Sequence, residues 1–249
     1  MQHFYVGIHQ LPLAQHFDLC FISANILQGR KSDFKVKRWI MDSGAFSEIS
    51  TYGEYRSDVA TYAKLIERWA QCPTLEAAVA QDYMCEPFIL KRTGLAVKDH
   101  QRMTVERYDR LLQHNPPCYI LPVIQGWLAH DYLRHLDQYG DRFKKGMYIG
   151  IGSVCKRNST VQSVVSILSL VKNHRPDLRI HAFGLKTTAL QNTNVRHLIH
   201  SADSMAWSFA ARKAGRDANS WREAKSFEQK IQLLVDRPSS YTAPIWLVR

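Results

Sequence analysis

Three aspartates and a glutamine each lie at or just past the end of a short apolar segment that is typical of a buried strand. These residues are Asp42, Asp82, Gln125 and Asp203. The strands of a βα fold run parallel and bring their carboxyl ends to one face, so we expect the four side chains to converge there. Carboxylates that crowd at one rim repel one another and lose hydration, which is unfavourable unless a substrate or a cation uses them.

Each of the four side chains has a chemical interpretation and a structural one. Asp42 is followed by Ser-Gly and Asp82 follows an Ala-Ala-Val-Ala-Gln segment, so each carboxylate is either a functional group or the cap of a turn. Asp203 lies among small residues, where a carboxylate is partly desolvated and rigid; this suits a nucleophile, and the alternative is a buried helix cap. Gln125 presents a donor and an acceptor on one rigid amide.

Two glycine-containing segments end two further predicted strands. They are Gly150-Ile-Gly-Ser and Phe-Gly-Leu, which contain Gly150, Gly152 and Gly184. A ligand can approach the backbone N–H groups of such a segment closely because no side chain stands in the way. The alternative is a turn between a strand and a helix that contacts no ligand.

The segments that must position these residues alternate between short strands and amphipathic helices. Eight strands are predicted, at Phe4–Ile8, Asp18–Ser23, Arg38–Asp42, Ala77–Asp82, Tyr119–Gln125, Met147–Gly150, Ile180–Gly184 and Ser201–Trp207. Apolar periodicity predicts helices at Asp58–Gln71, Asp99–His114, Leu128–Tyr139, Val161–Asn173, Thr188–His200 and Ser220–Val235. This alternation predicts an α/β fold, a single (β/α)8 TIM-like barrel domain over residues 1–249.

Charge is the strongest signal in the composition. The chain carries 33 basic and 22 acidic residues, a formal net charge of +11, which favours a polyanionic partner. A solvated basic surface is the alternative. The basic residues cluster beside predicted strand ends, which favours nucleic acid. The candidate phosphate-binding residues are Lys144, Lys145, Arg157, Arg212, Lys213 and Arg216.

The sequence contains no clear signal for a metal, a cofactor or a membrane. Five cysteines without paired spacing predict reduced thiols and a cytoplasmic protein. His197 and His200 lack a third ligand nearby, and no nucleotide-binding or serine-nucleophile motif is present, so we expect no zinc and no cofactor. No apolar stretch approaches the about 20 residues that a membrane helix needs, and the N-terminal segment does not resemble a signal peptide.

Taken in order from Asp42 to Arg212, these motifs resemble the tRNA-guanine transglycosylase superfamily. The segment from Ser204 to Arg212 is most similar to a short, often phage-encoded branch that acts on DNA, the 7-deazaguanine DNA transglycosylases called DpdA. The tRNA enzymes carry a cysteine-rich zinc segment after the nucleophile, whereas this chain has no cysteine after Cys155. We therefore expect a barrel without the zinc subdomain.

The resemblance implies that guanine in nucleic acid is exchanged for a 7-deazaguanine on a β/α barrel. It makes Asp203 the nucleophile and Asp42 the general acid and base. It matches Asp82 and Gln125 to the residues that hold the polar edge of the purine, and Gly150 to the glycine turn of the base pocket. We expect Gly152, Gly184, Ser43 and Lys156 to bind the base as well. The expected partners are DNA and a free 7-deazaguanine, with no membrane. Lys156 stands near a glutamate that the tRNA enzymes associate with an aminomethyl base, so the reversed charge predicts a preference for neutral 7-cyano-7-deazaguanine.

The chemistry of the residues agrees with this resemblance but leaves alternatives open. Displacing a base from a sugar passes through an oxocarbenium-like state, which a carboxylate can stabilise and then trap as a covalent intermediate, as in retaining glycosidases. The alternatives are a tRNA-guanine transglycosylase, a metal-dependent barrel hydrolase whose carboxylates hold Mg²⁺, and a non-catalytic DNA-binding protein. The oligomeric state is open.

Overall fold

The predicted strands form a ring of parallel strands. The computed structural model describes residues 1–72, 74–157 and 160–236. In these ranges the strands are β1 (His3–Ile8), β2 (Leu19–Ser23), β3 (Arg38–Asp42), β4 (Leu75–Val79), β5 (Tyr119–Leu121), β6 (Val123–Ile124), β7 (Tyr148–Ile151), β8 (Arg179–Ala182) and β9 (Ser201–Ser204). They pair in the order β5-β4-β3-β2-β1-β9-β8-β7-β6, and every pair is parallel.

The two edges of this sheet meet because β5 and β6 are consecutive in the chain. Pro122 lies between them and has no N–H group to donate to the ladder. On one side the Ala80 N–H donates to the Leu121 carbonyl at 2.9 Å, and on the other the Gly150 N–H donates to the Pro122 carbonyl at 2.8 Å. The segments β5 and β6 therefore share one strand position, and the sheet is a β/α barrel with eight positions. The predicted fold is confirmed.

Helices cover the outside of the barrel. They are α1 (Ala45–Tyr52), α2 (Val59–Ala70), α3 (Pro87–Thr93), α4 (Val97–Leu112), α5 (Ala129–Tyr139), α6 (Val161–His174), α7 (Thr187–Gln191), α8 (Thr193–Leu198), α9 (Ala206–Lys213) and α10 (Trp221–Val235). Their apolar faces pack on outward-facing strand residues such as Trp39 and Ile180, which are fully buried. Within the described ranges, none of these helices combines the length and the apolar character that a membrane span requires.

Several element boundaries differ from the sequence prediction, and two of the differences have clear local reasons. The predicted helix Thr188–His200 is divided into α7 and α8 because the Asn192 side chain accepts from the backbone N–H groups of Asn194 and Val195 and so begins a new helix. The predicted strand Ser201–Trp207 is too long. It ends at Ser204, whose hydroxyl accepts from the Ala206 N–H at 3.2 Å as α9 begins.

The barrel interior changes from apolar to polar toward the carboxyl ends of the strands. Inward-facing residues alternate along each strand, and the middle of the barrel is filled by Tyr5, Phe21, Ile40, Val79 and Leu121. The same alternation continues from Ile40 to Asp42 in β3 and from Ser201 to Asp203 in β9. Both carboxylates therefore point into the mouth of the barrel.

Candidate active site

Three carboxylates meet at the carboxyl end of the barrel. Asp42 is the last residue of β3, Asp203 lies in β9, and Asp82 lies three residues past β4. Asp82 and Asp203 are only 6% and 7% exposed. Burial, followed by the neighbouring charges of Asp82 and Asp203, raises the pKa of Asp42 to about 7. The structure thus brings together the strand-end carboxylates that the sequence predicts to converge.

Side chains from two other strand ends hold Asp82. Ser43 Oγ donates to Asp82 Oδ1 at 3.2 Å, and Gln125 Nε2 donates to Asp82 Oδ2. The Tyr55 hydroxyl donates to the Asp82 carbonyl at 3.0 Å. Burial raises the pKa of Asp82 to about 6, although the hydrogen bonds from Gln125 and Ser43 favour its ionised form. Asp82 therefore presents a carboxylate of fixed orientation to the barrel mouth.

The amide of Gln125 is fixed at both ends. Ser153 Oγ donates to Gln125 Oε1 at 2.7 Å, while Nε2 faces Asp82. The Gln125 backbone is held as well, since its N–H donates to His135 Nδ1 at 2.7 Å and its carbonyl accepts from Gln101 Nε2 at 2.7 Å. A buried amide with this many partners offers an incoming molecule one defined pattern of donors and acceptors.

The glycines after β7 make room for side chains. The Gly152 N–H donates to the Ile124 carbonyl at 3.0 Å, and the Gly150 N–H is likewise used in the strand ladder. These N–H groups are thus not the open donors that the sequence predicts. A Cβ atom on Gly152 would lie 2.0 Å from Gln125 Nε2, and one on Gly150 would lie 2.4 Å from the Phe183 ring. Gly152 therefore permits the close approach of Gln125.

Asp203 is held through one of its two oxygens. His181 Nε2 lies 3.2 Å from Asp203 Oδ1, and the Gly184 N–H donates to the same oxygen at 2.9 Å. Gly184 has a φ of 62°, a conformation that favours glycine and that directs this N–H group toward the barrel. Gly184 therefore contributes to the site by orienting Asp203.

The structure separates the predicted phosphate-binding residues into different locations. Lys144 and Lys145 precede β7, which places them at the amino end of the barrel, opposite the carboxylates. Arg157 follows β7 at the carboxyl end. Its guanidinium lies 4.0 Å from the centre of the Trp127 ring, and its Nε donates to the Ser153 carbonyl at 3.0 Å. Arg157 thus connects the loop that contains Trp127 to the loop that contains Ser153.

The remaining predicted cations are on or just after α9. This helix begins beside the carboxyl end of β1, where Trp207 Nε1 donates to the Gly7 carbonyl at 2.9 Å. Its outer side carries Phe209, which is 67% exposed, and the exposed residues Arg212 and Lys213 three and four positions later. We call these three residues the α9 face. Arg216 lies beyond the helix and pairs with Glu223 at 2.6 Å.

Three residues near the site were not predicted. Glu86 is 1% exposed, and its Oε2 lies 2.9 Å from Ser153 Oγ. In the sequence it appears only as the residue before the helix-starting Pro87. His181 and Tyr148 lie inside the barrel, and the available signal was their polar character in otherwise apolar strands.

Two further predictions concern Lys156 and the binding of a metal ion. Lys156 belongs to the 3-10 helix Cys155–Arg157 after β7, but its side chain lies outside the part that the structure describes. Among the described residues, no group of three or more His, Cys, Asp or Glu side chains is arranged to hold a metal ion.

Comparison with known proteins provides a family match. The family model described as DpdA, DeoxyPurine in DNA protein A, matches residues 1–227. This range includes all the strands described above and all the site residues. A search of curated proteins found no match.

Proposed function

The chain belongs to the DpdA family, and on that premise we propose that it is an enzyme that exchanges guanine in DNA for a 7-deazaguanine base. The observation that carries the proposal is the meeting of Asp42, Asp82 and Asp203 in the barrel mouth. Three carboxylates in one desolvated site are unfavourable unless their charges are used. Base exchange uses each of them for a different task.

The pairing of Asp82 with Gln125 suits the polar edge of guanine. That edge presents two adjacent N–H donors and one carbonyl acceptor. Asp82 accepts from the two donors, while the amide N–H of Gln125 donates to the carbonyl. The hydrogen bonds from Ser43 to Asp82 and from Ser153 to Gln125 support this role because they keep both groups in place before the base arrives.

The exchange proceeds by two displacements at C1′ of the deoxyribose. In the first, an oxygen of Asp203 forms a bond to C1′, the bond from C1′ to guanine N9 breaks, and guanine takes a proton from Asp42. In the second, the incoming base gives its N9 proton to the Asp42 carboxylate and its N9 attacks C1′. The bond from C1′ to Asp203 then breaks and restores the carboxylate. Two displacements retain the configuration at C1′.

The titration of Asp42 supports its role in both proton transfers. A group that gives and takes a proton is most effective when its pKa lies near the working pH. Burial and the charges of Asp82 and Asp203 raise the pKa of Asp42 to about 7. At neutral pH this residue therefore populates both protonation states.

The α9 face supports a nucleic-acid substrate, and the family match favours DNA. The target guanine must leave the duplex stack, which costs a few kcal/mol. Phe209, on the helix that follows the Asp203 strand, offers an exposed ring for stacking on bases, and Arg212 and Lys213 offer charges for the adjoining phosphates.

For the incoming base we propose 7-cyano-7-deazaguanine over the aminomethyl form. Lys156 lies four residues after Gly152, and a cation there disfavours an ammonium-bearing base but not a neutral nitrile. Competition between equal concentrations of the two bases, followed by nucleoside analysis of the DNA, tests this choice. Lys156→Glu should shift incorporation toward the aminomethyl base. Preferential incorporation of that base by the wild type would contradict the proposed preference.

The proposed activity is tested with DNA and, separately, tRNA that carry labelled guanine. We expect the label to leave DNA only when a 7-deazaguanine is added, at a rate that a metal chelator does not change. Release from tRNA alone would instead identify a tRNA enzyme. Chelator-sensitive hydrolysis of a phosphorylated compound would support a metal-dependent hydrolase. DNA binding without any release of label would support a non-catalytic DNA-binding protein.

A further inference from the structure

A chain of hydrogen-bonded side chains runs through the barrel interior and ends at Asp203. The Tyr148 hydroxyl lies 2.5 Å from Ser201 Oγ, Ser201 Oγ lies 2.8 Å from His181 Nδ1, and His181 Nε2 lies 3.2 Å from Asp203 Oδ1. The side chains come from the neighbouring strands β7, β8 and β9. His181 and Ser201 are completely buried. Polar groups in an otherwise apolar barrel interior require a reason.

The direction of the protons along this chain follows from its two ends. An ionised Asp203 offers only acceptors, so His181 Nε2 must carry a proton and donate. In a neutral ring, Nδ1 then accepts from the Ser201 hydroxyl. At the other end, burial raises the pKa of Tyr148, so its hydroxyl keeps its proton and donates to Ser201. Every member of this hydrogen-bonded chain is thereby satisfied, and for a neutral ring the pattern requires the Nε2–H tautomer of His181.

The hydrogen bonds to the Asp203 carboxylate fall on one side. Both His181 Nε2 and the Gly184 N–H reach Oδ1. Within the described residues, Oδ2 receives no hydrogen bond from the protein. In the Asp203 carboxylate, Oδ1 is therefore fixed by hydrogen bonds, and Oδ2 is available for reaction.

We infer that His181 is a positioning residue that, together with the Gly184 N–H, orients the Asp203 carboxylate so that Oδ2 attacks C1′. This inference rests on the proposed base exchange. When Oδ2 bonds to C1′, Oδ1 becomes the carbonyl oxygen of the ester and keeps its two donors. When the C1′–Oδ2 bond breaks in the second displacement, the negative charge returns to a carboxylate that the same donors stabilise.

Two amide substitutions distinguish positioning from simple packing. In His181→Gln the side-chain N–H reaches the position of Nε2 and can still donate to Asp203. In His181→Asn the amide is shorter and reaches only the position of Nδ1. Loss of a hydrogen bond to a charged group predicts a kcat roughly 10- to 100-fold lower for His181→Asn. The KM for the free base should be unchanged because His181 does not touch it, and His181→Gln should recover most of the kcat.

The two substitutions and a spectroscopic measurement together test whether His181 orients Asp203. Wild-type kcat in His181→Asn, or a His181→Gln variant as slow as His181→Asn, would overturn the inference.

Nitrogen-15 spectra of histidine-labelled wild type, with the His181 signals identified by their absence in His181→Gln, provide a test that needs no activity. We expect the Nε2–H tautomer and a change in its signal in Asp203→Asn; an Nδ1–H tautomer would overturn the inference. Failure of the wild type to exchange guanine would refute the proposed function, whereas the tautomer would still report on the contact between His181 and Asp203.

Discussion

Replacing Asp42 with asparagine should remove base exchange and at the same time make the protein more stable at pH 8. Burial and the charges of Asp82 and Asp203 raise the pKa of Asp42 to about 7. Ionising Asp42 in the folded protein therefore costs free energy that is not required in the unfolded chain. Asparagine keeps the size of the side chain, and its oxygen can still accept from the Gly44 N–H, which lies 3.2 Å from Asp42 Oδ2.

The free-energy cost of ionising Asp42 follows from its pKa in the folded protein and the ordinary pKa of an aspartate. The difference between 3.8 and about 7 corresponds, at about 1.36 kcal/mol per pKa unit, to an upper limit of about 4 kcal/mol. The pKa is raised in the folded state, so the destabilisation is absent below about pH 4, grows as the pH rises toward 7, and is complete above 7. In a protein of this size each kcal/mol changes Tm by about 2–4 °C.

Urea unfolding of the wild type and Asp42→Asn at pH 5 and pH 8 measures this effect. The stability gained by the variant should be larger at pH 8 than at pH 5 by about 2.5 kcal/mol. Asp141→Asn is the control because Asp141 is exposed and lies in the 3-10 helix Gly140–Arg142 before β7, at the other end of the barrel. A gain that is equal at the two pH values, or a variant that is less stable at pH 8, would refute the assignment of a raised pKa to Asp42.

Three other perturbations separate the parts of the proposed site. Asp82→Asn places a donor opposite the N–H groups of the base, and calorimetry should show affinity for the free base falling by about 10- to 100-fold; unchanged affinity would leave Asp82 a structural cap. Gly152→Ala should displace Gln125, since the added Cβ would lie 2.0 Å from Nε2, and should weaken base binding as much as Gln125→Ala does; wild-type affinity would contradict the packing described. Charge reversal of both cations on the α9 face should weaken DNA binding in anisotropy titrations and reduce the log–log salt slope by about 0.9 for each lost contact. The same reversal at Lys144 and Lys145 is the matched control, and equal losses from both pairs would argue against docking at α9.

The barrel and the convergence of its carboxylates were predictable because both depend on local patterns. Apolar segments of strand length, separated by amphipathic helices, specify a parallel sheet, and a parallel sheet collects its strand ends at one face. Asp42 and Asp203 also follow the two-residue alternation of their strands. The carboxylates could therefore be located without knowing which residues contact one another.

Contacts between strands could not be predicted in the same way. Alternation along β8 shows that Arg179 and His181 share a side, but not that His181 meets Ser201 and Asp203 of β9. The use of the Gly150 and Gly152 N–H groups depends on pairing across the closure of the barrel. These features arise from register between strands, which the local sequence pattern does not encode.

Formation of a covalent bond between Asp203 and DNA tests base exchange most directly. The protein is incubated with a guanine-containing oligodeoxynucleotide without free base, denatured, and analysed by intact mass and by peptide mapping. We expect an adduct with the mass of the oligonucleotide lacking one guanine, attached at Asp203, which disappears when a 7-deazaguanine is added before denaturation. Asp203→Asn should form no adduct and exchange no base while still binding DNA. An adduct at another residue, or wild-type exchange by Asp203→Asn, would contradict the proposed mechanism.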